Sequence, residues 1–130
     1  MKQIVSRLNK LRHVNKPWGS FDQYTLNERS TVKMLTINPG ARTSLQSHAH
    51  RKEFWVALDE GLHVQIGKRR ISLRKGSSIV VRKGAKHRLL CEGRSKVRLL
   101  EISFGDFSEN DIQRYEDDYG RMTKTLSSRR

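Results

Sequence analysis

The sequence predicts an all-β protein, a sandwich or barrel of about seven short strands. Three observations lead there. Apolar and polar residues alternate with a period of two through the middle of the chain. Gly, Pro and Asn punctuate that pattern at short, even intervals. Helical spacing is confined to the two ends.

At the N-terminus, MKQIVSRLNKLRHVNK is basic, and Ile4, Leu8 and Leu11 fall near helical spacing. This predicts a short amphipathic helix in an arm over residues 1–14. The stretch lacks the long apolar run and small-residue cleavage site of a secretory signal. TVKMLTINPG reads as a strand stopped by Asn38, Pro39 and Gly40. EFWVALDEG is apolar enough to be central in a sheet. In LHVQIG, Leu62, Val64 and Ile66 alternate with His63 and Gln65; in RISLRKG, Ile71 and Leu73 alternate with polar neighbours. These two strands form a hairpin whose turn lies in Gly67–Arg70. SSIVVRKG and KVRLLEISF are two further strands. In SENDIQRYEDDYG, Ser108 and Asp111 make a capping-type pattern and Gly120 a stop, which predicts a short C-terminal helix. One domain over 15–121 is expected, followed by a mobile polar tail over 122–130.

The composition narrows the function. There are 27 Lys plus Arg against 13 Asp plus Glu, a net charge of +14. Such a balance points either to an anionic partner or to a solvated basic face. The charge is segregated: Lys68 to Arg98 holds twelve Lys or Arg and one acid, whereas Glu101 to Asp118 holds seven acids and one Arg. The nine aromatics fall mostly outside the basic stretch, which argues against nucleic acid. No apolar run reaches the length of a membrane span, so no membrane helix is expected. The single cysteine, Cys91, and the missing signal indicate a reducing, cytoplasmic setting.

The chemistry concentrates in LQSHAHRKEFW, residues 45 to 55. If the stretch is extended, His48 and His50 point to one face, and Gln46 shares it. Glu53 follows after one tight turn. His87, in GAKHRL beyond a glycine turn, is the candidate fourth ligand. Three imidazoles and a carboxylate suit a divalent metal: Zn²⁺ foremost, or Fe²⁺, Mn²⁺, Co²⁺ or Ni²⁺. The alternative is a set of polar side chains on a solvated strand. His63 reads as a surface residue, and His13 has no evident partner.

These motifs carry a resemblance. Gly40 to Gly61, with His48, His50 and Glu53, and Gly76 to His87 resemble the two motifs of the cupins. More narrowly, KPWGSF, LQSHAHRKEFW, GAKHRL and NDIQRYEDDYGR resemble, in order and spacing, the cupin domain of type II mannose-6-phosphate isomerases. That domain is often fused behind a mannose-1-phosphate guanylyltransferase. Two departures stand out: Arg82 where the second motif usually has proline, and Gly61 one residue late.

The resemblance implies a double-stranded β-helix, or jelly roll, with metal ligands His48, His50, Glu53 and His87. It implies interconversion of mannose 6-phosphate and fructose 6-phosphate through a cis-enediol. Glu101, which alternates with Val97, Leu99 and Ser103 on one strand face, is a candidate base or else a structural carboxylate paired with an arginine. Lys52 is a second candidate base. Arg51 and Arg88, with Gln46, are candidates for substrate binding; both arginines could equally pair with the acidic C-terminal segment. Trp18 and Trp55 are expected to pack, as walls of the mouth. Tyr115, Asp117, Asp118 and Tyr119 are expected to latch the C-terminal segment to the barrel. A homodimer is expected by analogy of fold. The competing readings are a non-catalytic cupin binding a sugar phosphate or polyanion, and an oxygenase of the same fold.

Overall fold

The computed structural model describes residues 8–122 of the chain. Ile4 and the tail over 123–130 lie outside the described residues. Leu8 to Leu11 run without helix into the first strand.

A hairpin of β1 (Arg12–Lys16) and β2 (Gly19–Gln23) comes first, crossing the boundary expected at residue 14. Two antiparallel sheets follow. The four-stranded sheet has the order β3 (Ser30–Ile37), β10 (Val97–Phe104), β5 (Glu53–Ala57), β8 (Ser78–Val81). The five-stranded sheet has the order β11 (Gln113–Glu116), β4 (Leu45–Ser47), β9 (His87–Cys91), β6 (Leu62–Ile66), β7 (Arg69–Leu73). From β3 to β11, consecutive strands alternate between the sheets, as in a jelly roll, except for the β6–β7 hairpin.

The period-two pattern is what packs the sheets. Trp55, Ala57, Ile79, Val81, Val97 and Leu99 point inward from one sheet, Leu62, Val64, Leu73, Leu89 and Cys91 from the other, and all are buried in one core. Each large side chain sealed this way contributes roughly 1.5–3 kcal/mol. Leu99→Ala, at a fully buried position, would cost about 2–5 kcal/mol through the cavity it leaves. The β6–β7 turn tightens to Gly67 and Lys68, with Gly67 at φ 59°, a conformation that favours glycine.

The expected C-terminal helix is not formed; the segment is a strand. Ser108 closes only a turn, its carbonyl accepting from Asp111 N at 3.1 Å. β11 instead pairs with the edge of β4, with a bulge between Arg114 and Glu116. Tyr115 Oη meets Ser47 Oγ at 2.9 Å, Arg88 donates to Glu116 at 2.8 Å, and Arg42 grips Asp118. These long-range bonds satisfy groups that a short isolated helix would leave to its own marginal stability. Tyr119 completes the latch, donating from its hydroxyl to the Arg42 carbonyl at 2.8 Å.

Register places two polar rows inside the mouth. Lys33, Glu101, Trp55 and Ile79 are cross-strand partners on the four-stranded sheet. Arg114, Gln46, His87 and Ile66 are partners on the five-stranded sheet.

Candidate active site

A cavity of about 410 Å³ opens between these rows. Its walls include Gln46, His48, Arg51, Trp55, His87 and Glu101. That volume suits one small ligand.

His48 and His87 of this wall converge with Glu53. One donor atom from each lies within 4.8 Å of the others, and all three side chains are buried. The two imidazoles are set by their backbone partners. His48 Nδ1–H donates to the Asp111 carbonyl at 2.7 Å, and His87 Nδ1–H donates to the Ala85 carbonyl at 2.9 Å. Nε2 is therefore the lone-pair atom of each ring, as metal-ligating histidines require; that of His87 has no hydrogen-bond partner among the described residues, and that of His48 accepts from Arg51 Nη2 at 3.3 Å. Burial holds the His87 pKa down to about 4, so its ring is neutral at physiological pH. The donor set fits a divalent metal.

His50 stands apart from this group. β4 ends at Ser47, and the chain bends at Ala49 and His50, so the strand alternation that would align His48 with His50 is interrupted. The Asp111 carboxylate causes the bend, accepting from Ala49 N at 2.8 Å and His50 N at 3.0 Å. His50 is left exposed. Gln46, by contrast, sits beside His87 in register and faces the cavity.

The Glu53 carboxylate accepts three hydrogen bonds. Its Oε2 accepts from Arg51 Nε at 2.8 Å and from Ser103 Oγ at 3.3 Å, and its Oε1 from Trp55 Nε1 at 3.1 Å. Burial alone would raise its pKa; the Arg51 hydrogen bond and the neighbouring histidines outweigh it and hold the carboxyl below its usual range. Arg51 also approaches His48 Nε2 at 3.3 Å, donates to the Ser108 carbonyl at 3.0 Å and lies over the Phe107 ring. Its guanidinium is thus committed to organising the ligands.

Glu101 is buried in the cavity wall. Burial first, then the adjacent Glu53 carboxylate, pushes its pKa up to about 8. A carboxyl so poised exchanges a proton near neutral pH.

Three other side chains singled out in the sequence lie elsewhere. Lys52 is exposed on the outer side of the four-stranded sheet, its ammonium 5.5 Å from the Phe104 ring centre. Arg88 is buried on the face of β9 opposite His87, where its Nε donates to the Thr43 carbonyl. Strand parity dictates this: with His87 inward, residue 88 must point outward. Trp55 walls the cavity, edge-on to His87 at 5.3 Å, but Trp18 stands 73% exposed at the β1–β2 turn, outside the mouth. His13, unpaired on sequence grounds, meets Asp22 Oδ1 at 2.6 Å across the hairpin. Asp111, Ser103 and Phe107 were not visible in the sequence as site residues, because their roles depend on non-local contacts.

A two-sheet β barrel with a histidine–carboxylate cluster in its mouth is a cupin. The fold is similar to that of a cupin 2 conserved barrel domain protein from Salinispora arenicola, at a TM-score of 0.56 and 14% identity over 76% of this chain and 80% of that one. The chain belongs to the family described as mannose-6-phosphate isomerase C-terminal, whose model matches residues 5–117.

Among its relatives, it is 35% identical to the xanthan biosynthesis protein XanB of Xanthomonas campestris pv. campestris over 93% of this chain and 28% of that protein. It is 38% identical to the mannose-1-phosphate guanylyltransferase ManC of Salmonella typhimurium over 85% of this chain and 23% of that protein. The chain thus spans about a quarter of the length of these curated relatives.

Proposed function

We propose that the chain is a metal-dependent aldose–ketose isomerase that interconverts mannose 6-phosphate and fructose 6-phosphate. One observation carries this reading: a histidine pair with both Nδ1 atoms bonded to backbone carbonyls, together with Glu53, lies beside a second buried carboxyl, Glu101, whose proton exchanges near neutral pH. Family membership supports the sugar-phosphate substrate class.

His48, Glu53 and His87 would hold the cation, with the Gln46 side-chain oxygen as a further donor. A divalent cation there would supply Lewis-acid polarisation of the sugar oxygens. The protein's own groups do the rest. Glu101, as its carboxylate, takes the proton from C2 of the open-chain aldose. The C2–H electron pair forms the C1–C2 double bond of the cis-enediol, and the proton of the C2 hydroxyl passes to the carbonyl oxygen at C1 across the two cis oxygens. The same carboxyl then returns its proton to C1 as the C2 oxygen becomes the ketone. Trp55 and the buried wall around His87 keep bulk water from the exchange.

The test is a coupled assay on mannose 6-phosphate. EDTA-sensitive turnover, abolished in Glu101→Gln with metal content intact, is the expected result. Bound metal without turnover of any hexose phosphate would sink the isomerase and leave a non-catalytic sugar-phosphate-binding cupin. The Arg51 guanidinium, engaged with both Glu53 and His48, is the feature that favours that second reading. The buried, unpaired Cys91 thiol suits a reducing, cytoplasmic setting for either.

A further inference from the structure

Five cationic side chains of Lys and Arg line the cavity, and four already have a carboxylate. Lys33 pairs with Glu109 at 3.0 Å, Arg42 with Asp118 at 2.7 Å, Arg51 with Glu53 at 2.8 Å and Arg121 with Asp117 at 3.1 Å. The fifth, Arg114, makes no side-chain hydrogen bond or ion pair among the described residues. Its Nε is sealed from solvent without a partner. Ser44, fully buried and lining the same cavity, has an Oγ in the same state. The third such atom, Nη2 of Arg88, belongs to a guanidinium that already pairs with Glu116 on the opposite face of its sheet.

A buried guanidinium donor left unpaired is costly, so its persistence beside a cavity points to a ligand that completes it. The ligand must be anionic and planar-fork compatible, the description of a phosphate monoester. Position agrees with this. Arg114 and His87 share one cross-strand row, two strands apart with Gln46 between them. Two strand spacings amount to about 10 Å. That separation is of the order of an open-chain hexose with its reacting carbons at the histidines and its 6-phosphate at the far end. Ser44, Gln46 and His48 alternate along one chain face and line the path between.

We propose that Arg114, with Ser44, is the phosphate subsite of this cavity. Arg51 and Arg88 do not serve that role, because their guanidiniums are spent on Glu53 and on Glu116. This rests on the isomerase reading for its sugar but not for its anion.

The experiment separates the two. Binding of inorganic phosphate and of mannose 6-phosphate is measured by calorimetry on wild type, Arg114→Gln, Arg114→Lys, Ser44→Ala and Arg88→Gln, alongside steady-state kinetics and metal content. Loss of one charge-assisted contact should weaken both ligands about 10- to 100-fold in Arg114→Gln. KM should rise with kcat little changed, metal content should hold, and Arg114→Lys should recover part of the loss. Ser44→Ala should show a smaller loss in the same direction. Phosphate binding that depends on Arg114 without turnover leaves the subsite standing and removes the isomerase. Turnover with an unchanged KM in Arg114→Gln, or a loss confined to Arg88→Gln, overturns the subsite and leaves the isomerase. No phosphate binding in the wild type overturns the subsite as well.

Discussion

Arg51 and Glu53 form a buried ion pair, Nε to Oε2 at 2.8 Å, with the arginine 6% and the carboxylate 1% exposed. Two residues apart in sequence, they clamp the mouth of the barrel from within. Removing the cation leaves a buried carboxylate uncompensated, which costs about 3–5 kcal/mol. Arg51→Met should therefore lower the stability of metal-free protein by that order in urea denaturation. Arg51→Lys should recover only part, since an ammonium cannot reproduce the forked contacts to Glu53, His48 and the Ser108 carbonyl. Equal stability of wild type and Arg51→Met would show that the pair contributes nothing.

Metal content should separate the histidines. Elemental analysis of purified protein should find one divalent ion per chain, absent from His48→Ala and His87→Ala and retained in His50→Ala. The exposed His50 and the buried convergence of His48, Glu53 and His87 motivate this. Loss of metal in His50→Ala would mean that the bend at Ala49 and His50 reorganises around the ion.

Asp111 holds that bend and places its own carbonyl against His48. Asp111→Ala removes two acceptor contacts, worth roughly 1–3 kcal/mol for bonds to a charged group. It should also loosen the orientation of His48, with metal affinity falling about 10-fold in a chelator competition. An unaltered affinity would confine Asp111 to loop stability.

Glu101 should leave a signature in stability against pH. Its folded pKa of about 8 stands above the ordinary 4.5. The folded protein therefore keeps a proton that the unfolded chain releases across this window. Stability of the metal-free protein should fall as pH rises from 4.5 to 8, by up to about 5 kcal/mol, and level off above. Glu101→Gln cannot release that proton and should lack the decline. Parallel profiles for the two proteins, measured by denaturant unfolding from pH 5 to 9, would falsify the assignment.

Much of the barrel was legible in the sequence, since a half-buried strand writes its two faces as alternating residues. The strands around Val64, Ile71 and Leu99 are where the period of two puts them, and those around Val32 and Trp55 lie where turn residues and apolarity mark them. The C-terminal segment was misread because Ser108 and Asp111 mimic a helix cap. Asp111 spends its carboxylate on the amides of Ala49 and His50, more than sixty residues away in the chain. Arg88 was legible in hindsight, because strand parity turns it away from any face that His87 occupies. Arg114 was hidden by the helix reading, which erased its parity.

By itself the sequence determined an all-β sandwich or barrel of about seven strands, the turn glycines and the residue types for a histidine–carboxylate site, because these follow from local periodicity and composition; the division of eleven strands among the described residues into sheets came only with the fold. Tertiary structure decided which of them meet. His87 comes from one sheet and His48 from the loop just past that sheet's β4, while Glu53 and Glu101 come from the other sheet. Their convergence depends on sheet packing and on a loop drawn to Asp111, and no spacing along the chain encodes either. Tertiary structure also left Arg114 without a carboxylate by giving every other Lys and Arg of the cavity wall one. Pairing between residues far apart in sequence is a property of the folded surface as a whole.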